Sequence, residues 1–114
     1  MNDPTTPLRQ IAFSYNWNNK LSCPCFTTIR LINLKKYVVG ETYEIVLNKK
    51  PISLCEIVEI RNFYLASLNE FVARIDTGYS KAECERIIRS MYKIVDFDSN
   101  MLSLILLVKK PLAI

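Results

Sequence analysis

The chain has 114 residues, of which half are apolar and 23% charged, and it carries a net charge of +4. That length fits one compact domain with little room for a second, and the composition excludes a disordered or collagen-like chain. There is no histidine, which removes the usual general base near neutral pH and the commonest metal ligand. The longest apolar run, Leu104 to Val108, falls far short of the roughly 20 residues of a membrane-spanning helix. Residues 1–7 lack the basic start and apolar stretch of a signal peptide. The expectation is a cytoplasmic protein with no membrane partner and no cofactor. Its oligomeric state is left open.

The cysteines are Cys23, Cys25, Cys55 and Cys84. Without a secretory signal they read as free thiols. Cys23-Pro24-Cys25 is a CxC and lacks the CxxC spacing of zinc ribbons, so no metal is expected. The lysine doublets Lys35-Lys36, Lys49-Lys50 and Lys109-Lys110 read as solvated strand ends and turns. A mildly basic balance permits nucleic-acid binding without requiring it.

In chain order, residues 1–10 read as a tail, residues 11–110 as the domain and residues 111–114 as a second tail. From Ile11 to Trp17 the sequence alternates, with Ile11, Phe13, Tyr15 and Trp17 on one side, which predicts a strand with one buried face. Asn18 to Phe26 is a loop by its Asn, Ser and Pro content. Thr27 to Ile32 is rich in β-branched residues and predicts a short strand. Lys35 to Gly40 is a connection ending in a glycine turn. Glu41 to Leu47 alternates with Tyr43, Ile45 and Leu47 facing one way, and Asn48 to Pro51 makes the turn of a hairpin. The returning strand runs from about Ile52 to Phe63, with Ile52, Leu54, Val58 and Ile60 expected on its inner face.

Two S-x-x-E capping boxes follow, at Ser67 to Glu70 and Ser80 to Glu83, each predicting a helix start. Leu68, Phe71, Val72 and Ile75 form the apolar stripe of the first helix, and Cys84, Ile87, Ile88 and Met91 that of the second. Gly78 stands where the first helix must stop. Asp96 to Asn100 is a turn, and Met101 to Val108 a final buried strand. The order predicts an α+β fold: a small β-barrel of about five to six strands, with two or more short helices packed at one end.

Three stretches carry a resemblance to the ASCH domain, a branch of the PUA-like superfamily of small barrels. Phe26-Thr27-Thr28-Ile29-Arg30 is similar to the end of the G-x-K-x-x-T-x-R motif of that family. Val39-Gly40-Glu41-Thr42-Tyr43 is similar to its turn into a strand. Ala73 to Ser80, with the helix after it, is similar to its D-G-aromatic-S junction. The likeness spans about residues 11 to 109. It implies a cleft beside the barrel that binds RNA or a nucleotide-like ligand, between Lys20–Arg30 and Asp76–Tyr79. In that reading Arg30 and Lys20 hold phosphate, Phe26 and Tyr79 stack a base, and Thr28 and Asp76 hydrogen-bond base or sugar.

Some small members of the family are amidohydrolases on acetylated cytidine nucleosides. They use the motif Thr as nucleophile, its Lys as activator and a downstream acid. Thr28 and Arg30 match the motif, the acid falls at or next to Asp76, and the motif lysine is replaced by Cys25. Lys20 lies five residues earlier. An enzyme of this kind would use Thr28 and Asp76, with Cys25 as the alternative nucleophile if a nearby cation lowers its pKa. Each residue also has a structural alternative: Thr28 as a β-branched strand residue, Arg30 in a buried pair with Asp76 or a Glu, Asp76 as a helix-end residue. A protein-interaction module without a ligand is the remaining possibility.

Overall fold

The structure is a computed structural model and describes residues 8–111. Five strands form one sheet: β1 (Arg9–Phe13), β2 (Cys25–Leu31), β3 (Thr42–Leu47), β4 (Lys50–Phe63) and β5 (Leu102–Lys109). The spatial order is β1-β3-β4-β5-β2. Only the β1–β3 pair is parallel; the β3–β4, β4–β5 and β5–β2 pairs are antiparallel. The sheet curls into a half-barrel, with β1 and β2 as its two edges. Across the open seam Phe13 of β1 meets Phe26 of β2 edge-on, with ring centroids 6.2 Å apart.

Helices α1 (Glu70–Thr77) and α2 (Lys81–Met91) follow β4, and short 3-10 segments lie at Trp17–Ser22 and Leu65–Ser67. No helix is long and apolar enough to cross a membrane among the described residues. The α+β class and the small, strongly curled sheet agree with the sequence reading. The barrel stays open at the seam.

Two clusters make the core. One fills the half-barrel with residues such as Ile11, Tyr43, Ile45, Ile57 and Leu107. Tyr43 is fully buried, yet its hydroxyl donates to Lys36 O at 2.6 Å and accepts from Val38 N at 2.9 Å. Its polar tip is therefore satisfied while its ring is removed from water. The second cluster joins Ile29 and Leu102 of the sheet to Leu68, Ala73, Cys84 and Ile88. It fastens the helices over the end where β2 finishes and β5 begins.

Several elements depart from the sequence reading. Strand β1 ends at Phe13, so Tyr15 and Trp17 leave the sheet: Tyr15 is exposed and Trp17 half-buried. Arg9 and Gln10, read as tail, pair with Tyr43 and Glu44. The expected tail segments 1–7 and 112–114 lie outside the described residues. In β4 the buried residues are Cys55 and Ile57, while Ile52, Leu54 and Val58 are exposed. The register against β5 shifts between Ile57 and Glu59, leaving Val58 unpaired at a bulge. Alternation has period two, so the expected face is one residue out of step up to the bulge and correct after it, where Ile60 packs against the core as expected.

Helix α1 starts at Asn69, not Ser67. The Asn69 side chain accepts from Val72 N at 2.8 Å, and Ser67 ends the preceding 3-10 turn. Its buried residues are Ala73, Asp76 and Thr77, whereas Phe71 is 74% exposed and Ile75 is also exposed. Of the expected apolar stripe, Leu68 is buried and Val72 packs against the core, while Phe71 and Ile75 turn outward and the polar pair Asp76 and Thr77 is buried. Helix α2 follows its predicted start and three of its four expected apolar positions, whereas Met91 is exposed. Ser80 accepts from Glu83 N at 3.2 Å, and Cys84, Ile87 and Ile88 are buried.

Candidate functional site

A cleft of about 390 Å3 opens in the seam. Its walls come from β1 (Phe13), β2 (Thr28, Arg30), the 3-10 segment (Trp17, Lys20) and α1 (Asp76). The β3–β4 hairpin tip adds Asn48 and Lys49, and α2 adds Met91.

At its base lies a buried ion pair. Lys20 is 6% exposed and Asp76 5%. Lys20 Nζ donates to Asp76 Oδ1 at 2.9 Å and to Asp76 O at 2.8 Å. Thr27 Oγ1 donates to the same Oδ1 at 2.9 Å. Both donors serve one carboxylate oxygen. No donor among the described residues is recorded on Asp76 Oδ2, and Asp76 lines the cleft.

Local sequence explains how these groups arrive. Asn18 and Asn19 take positive φ values of 58° and 53°, a region Asn tolerates better than most residues. The chain therefore turns sharply and drives Lys20 inward. Asn16 Oδ1 accepts from Leu21 N at 3.0 Å and steadies that turn. On the facing side, Gly78 ends α1 at φ 80°, and a Cβ there would come within 3.0 Å of the Asn18 side chain. Close approach of Gly78 to Asn18 seats the end of α1, and Asp76 with it, against the lysine loop.

Burial pulls the Lys20 pKa below the ordinary lysine value, and Asp76 works against that shift. Burial likewise pushes the hydroxyl of Tyr37 up, opposed by the guanidinium of Arg30. Arg30 sits with Cζ 4.5 Å from the centroid of the Phe13 ring, and its Nε donates to Thr28 Oγ1 at 2.9 Å. The Thr28 hydroxyl is thus an acceptor to the arginine and keeps its own proton for another partner.

At the rim, Trp17 contacts Tyr15 (centroids 4.5 Å apart) and meets Tyr79 edge-on at 6.0 Å.

Of the residues singled out from sequence, the fold brings Lys20, Thr28, Arg30 and Asp76 to one cleft. Tyr79 joins the aromatic rim through Trp17. Two depart from their expected roles. Phe26 is 5% exposed and packed in the core, so it has no face open for a base. Cys25 is exposed at the start of β2 and is not among the cleft residues. Arg30 pairs with neither Asp76 nor a Glu among the described residues. The sequence reading missed Phe13, Lys49 and Met91 as cleft residues. Lys49 belongs to a turn doublet read as solvated, and only the curl of the sheet carries that turn to the seam. No group of three or more Cys, Asp or Glu side chains able to hold a metal occurs among the described residues. Compared with protein families and with curated proteins, the chain matches none.

Proposed function

We propose that the seam cleft binds a nucleotide-like ligand or a single RNA nucleotide, and that the chain is a PUA-like module of the ASCH kind. One observation carries the reading: a carboxylate held on one oxygen by Lys20 and Thr27, its other oxygen taking no protein donor, lines a cleft that also holds Arg30 and Trp17. An acceptor fixed in this way suits an exocyclic amine or ribose hydroxyl, a planar guanidinium suits an anion, and an indole suits a base. The cleft volume lies within the range of roughly 300–1,000 Å3 typical of small-molecule sites. The motif residues Thr28, Arg30 and Asp76 meet in this cleft, which supports the family resemblance. The test is an amide NMR titration with cytidine, acetylated cytidine and a short single-stranded RNA at low salt. Shifts clustered at Trp17, Lys20, Thr28, Arg30 and Asp76 are expected; shifts elsewhere, or none, refute the reading.

A second reading, an amidohydrolase on acylated nucleosides, draws on a specific observation. The motif lysine is missing from its place in the sequence, yet Lys20 reaches the same cleft as Thr28, with a pKa lowered by burial. In that reading Lys20, once deprotonated, takes the Thr28 proton as Oγ1 attacks the amide carbonyl. The C–N bond then breaks, the proton passes to the departing amine, and water hydrolyses the acyl-threonine ester. Release of acetate from acetylated cytidine, abolished in Thr28→Val, would support it; no turnover across a panel of acylated nucleosides would refute it.

A further inference from the structure

Four charged side chains line the cleft: Lys20, Arg30, Lys49 and Asp76. Lys20 and Asp76 neutralise each other at 2.9 Å, and two of the three ammonium protons of Lys20 are already taken up by Asp76. Arg30 and Lys49 take part in no ion pair among the described residues. The cleft therefore carries two uncompensated positive charges, because the charge of its one acid is balanced by Lys20.

Arg30 and the turn that bears Lys49 both adjoin Phe13. The Arg30 guanidinium lies over its ring. The hairpin tip bearing Lys49 is tied to the same residue, because Asn48 N donates to Phe13 O at 2.9 Å. That tip is a two-residue turn in which Asn48 and Lys49 both have positive φ, 50° and 70°. Such turns favour Asn followed by Gly, and a lysine in the second position bears a backbone cost that glycine does not. The tip is thus pinned at the mouth of the cleft with a cation where glycine is the easier residue.

We infer that the ligand of this cleft carries a phosphate monoester, held between Arg30 and Lys49. A monoester bears about −1.5 to −2 charges near neutral pH, which matches the two free cations. This inference rests on the cleft being the nucleotide site, and it replaces Lys20 with Lys49 as the second phosphate-holding residue.

The experiment compares the four common ribonucleosides with their 5′-monophosphates, read by fluorescence of Trp17, the single tryptophan, and by amide NMR. At least one monophosphate is expected to bind the wild-type protein about tenfold or more tighter than its nucleoside. Lys49→Gln is expected to remove most of that preference. Lys50→Gln, the neighbouring exposed lysine outside the cleft, is expected to keep it. Equal binding of nucleoside and monophosphate overturns the phosphate inference while the cleft reading stands. Equal losses in the two lysine variants overturn the role of Lys49. Absence of binding by every compound overturns the cleft reading and this inference together.

Discussion

Lys20 and Asp76 are 56 positions apart in sequence, and the lysine ammonium donates to both the side chain and the main chain of the aspartate. One side chain thereby ties the loop after β1 to the last turn of α1, at the point where the half-barrel fails to close. The pair is structural and also lines the cleft.

Breaking that pair from one side leaves a buried charge. Lys20→Met is expected to lower stability by about 3–5 kcal/mol, measured by urea unfolding. The double variant Lys20→Met/Asp76→Leu should lose clearly less than the two single losses added together. Simple additivity would show that the two groups do not interact.

Burial raises the pKa of the Cys84 thiol above its ordinary value of 9.0. The folded chain then keeps a proton that the unfolded chain releases first. Stability present below pH 9.0 is lost as pH climbs from there to the folded pKa. The lowered pKa of Lys20 acts in the opposite sense, adding stability as pH rises towards 10.5, and it is present in both proteins compared. Between about pH 8 and about pH 10 the urea midpoint of Cys84→Ala should therefore fall less than that of the wild type. An equal or larger fall would contradict the assignment.

The thiols should divide cleanly by reactivity. Cys23 and Cys25 are exposed and Cys55 and Cys84 buried. Under native conditions a disulfide reagent such as Ellman's should modify the first two quickly and the others only on unfolding. Mass spectrometry of the labelled protein identifies which thiols react. Fast labelling of Cys84 would contradict its packing against α1.

Gly78→Ala forces a side chain into a left-handed position and to within 3.0 Å of Asn18. A loss of about 1–2 kcal/mol is expected. Because the same contact seats Asp76, the amide signals of Lys20 and Asp76 should shift as well. A variant with unchanged melting temperature and spectrum would show that Asn18 does not pack there.

Phe71 offers a direct contrast between sequence pattern and fold. Being 74% exposed, it should tolerate Phe71→Ser within about 0.5 kcal/mol. Phe26→Ala, in the core, should lose about 3–5 kcal/mol. Comparable losses at the two positions would mean that α1 presents the opposite face.

What the sequence by itself determined is local. Ser80 and Gly78 mark helix boundaries because a cap and a left-handed turn are set by a few neighbouring residues. Tyr43 and Ile45 are inward because β3 alternates as far as the register shift between Ile45 and Val46. Thr28, Arg30 and Asp76 were legible as site candidates through their resemblance to a motif. Tertiary structure decided the rest. A bulge at Val58 changes the face of β4, and no local periodicity encodes where such a bulge falls. Helix α1 turns Asp76 and Thr77 inward against part of its own apolar stripe, because Lys20 and Thr27 satisfy the carboxylate there. Lys49 lines the cleft only because the sheet curls enough to bring a hairpin tip to its open seam. Each of these depends on pairing between distant segments, and a buried polar group settles wherever a distant partner can satisfy it.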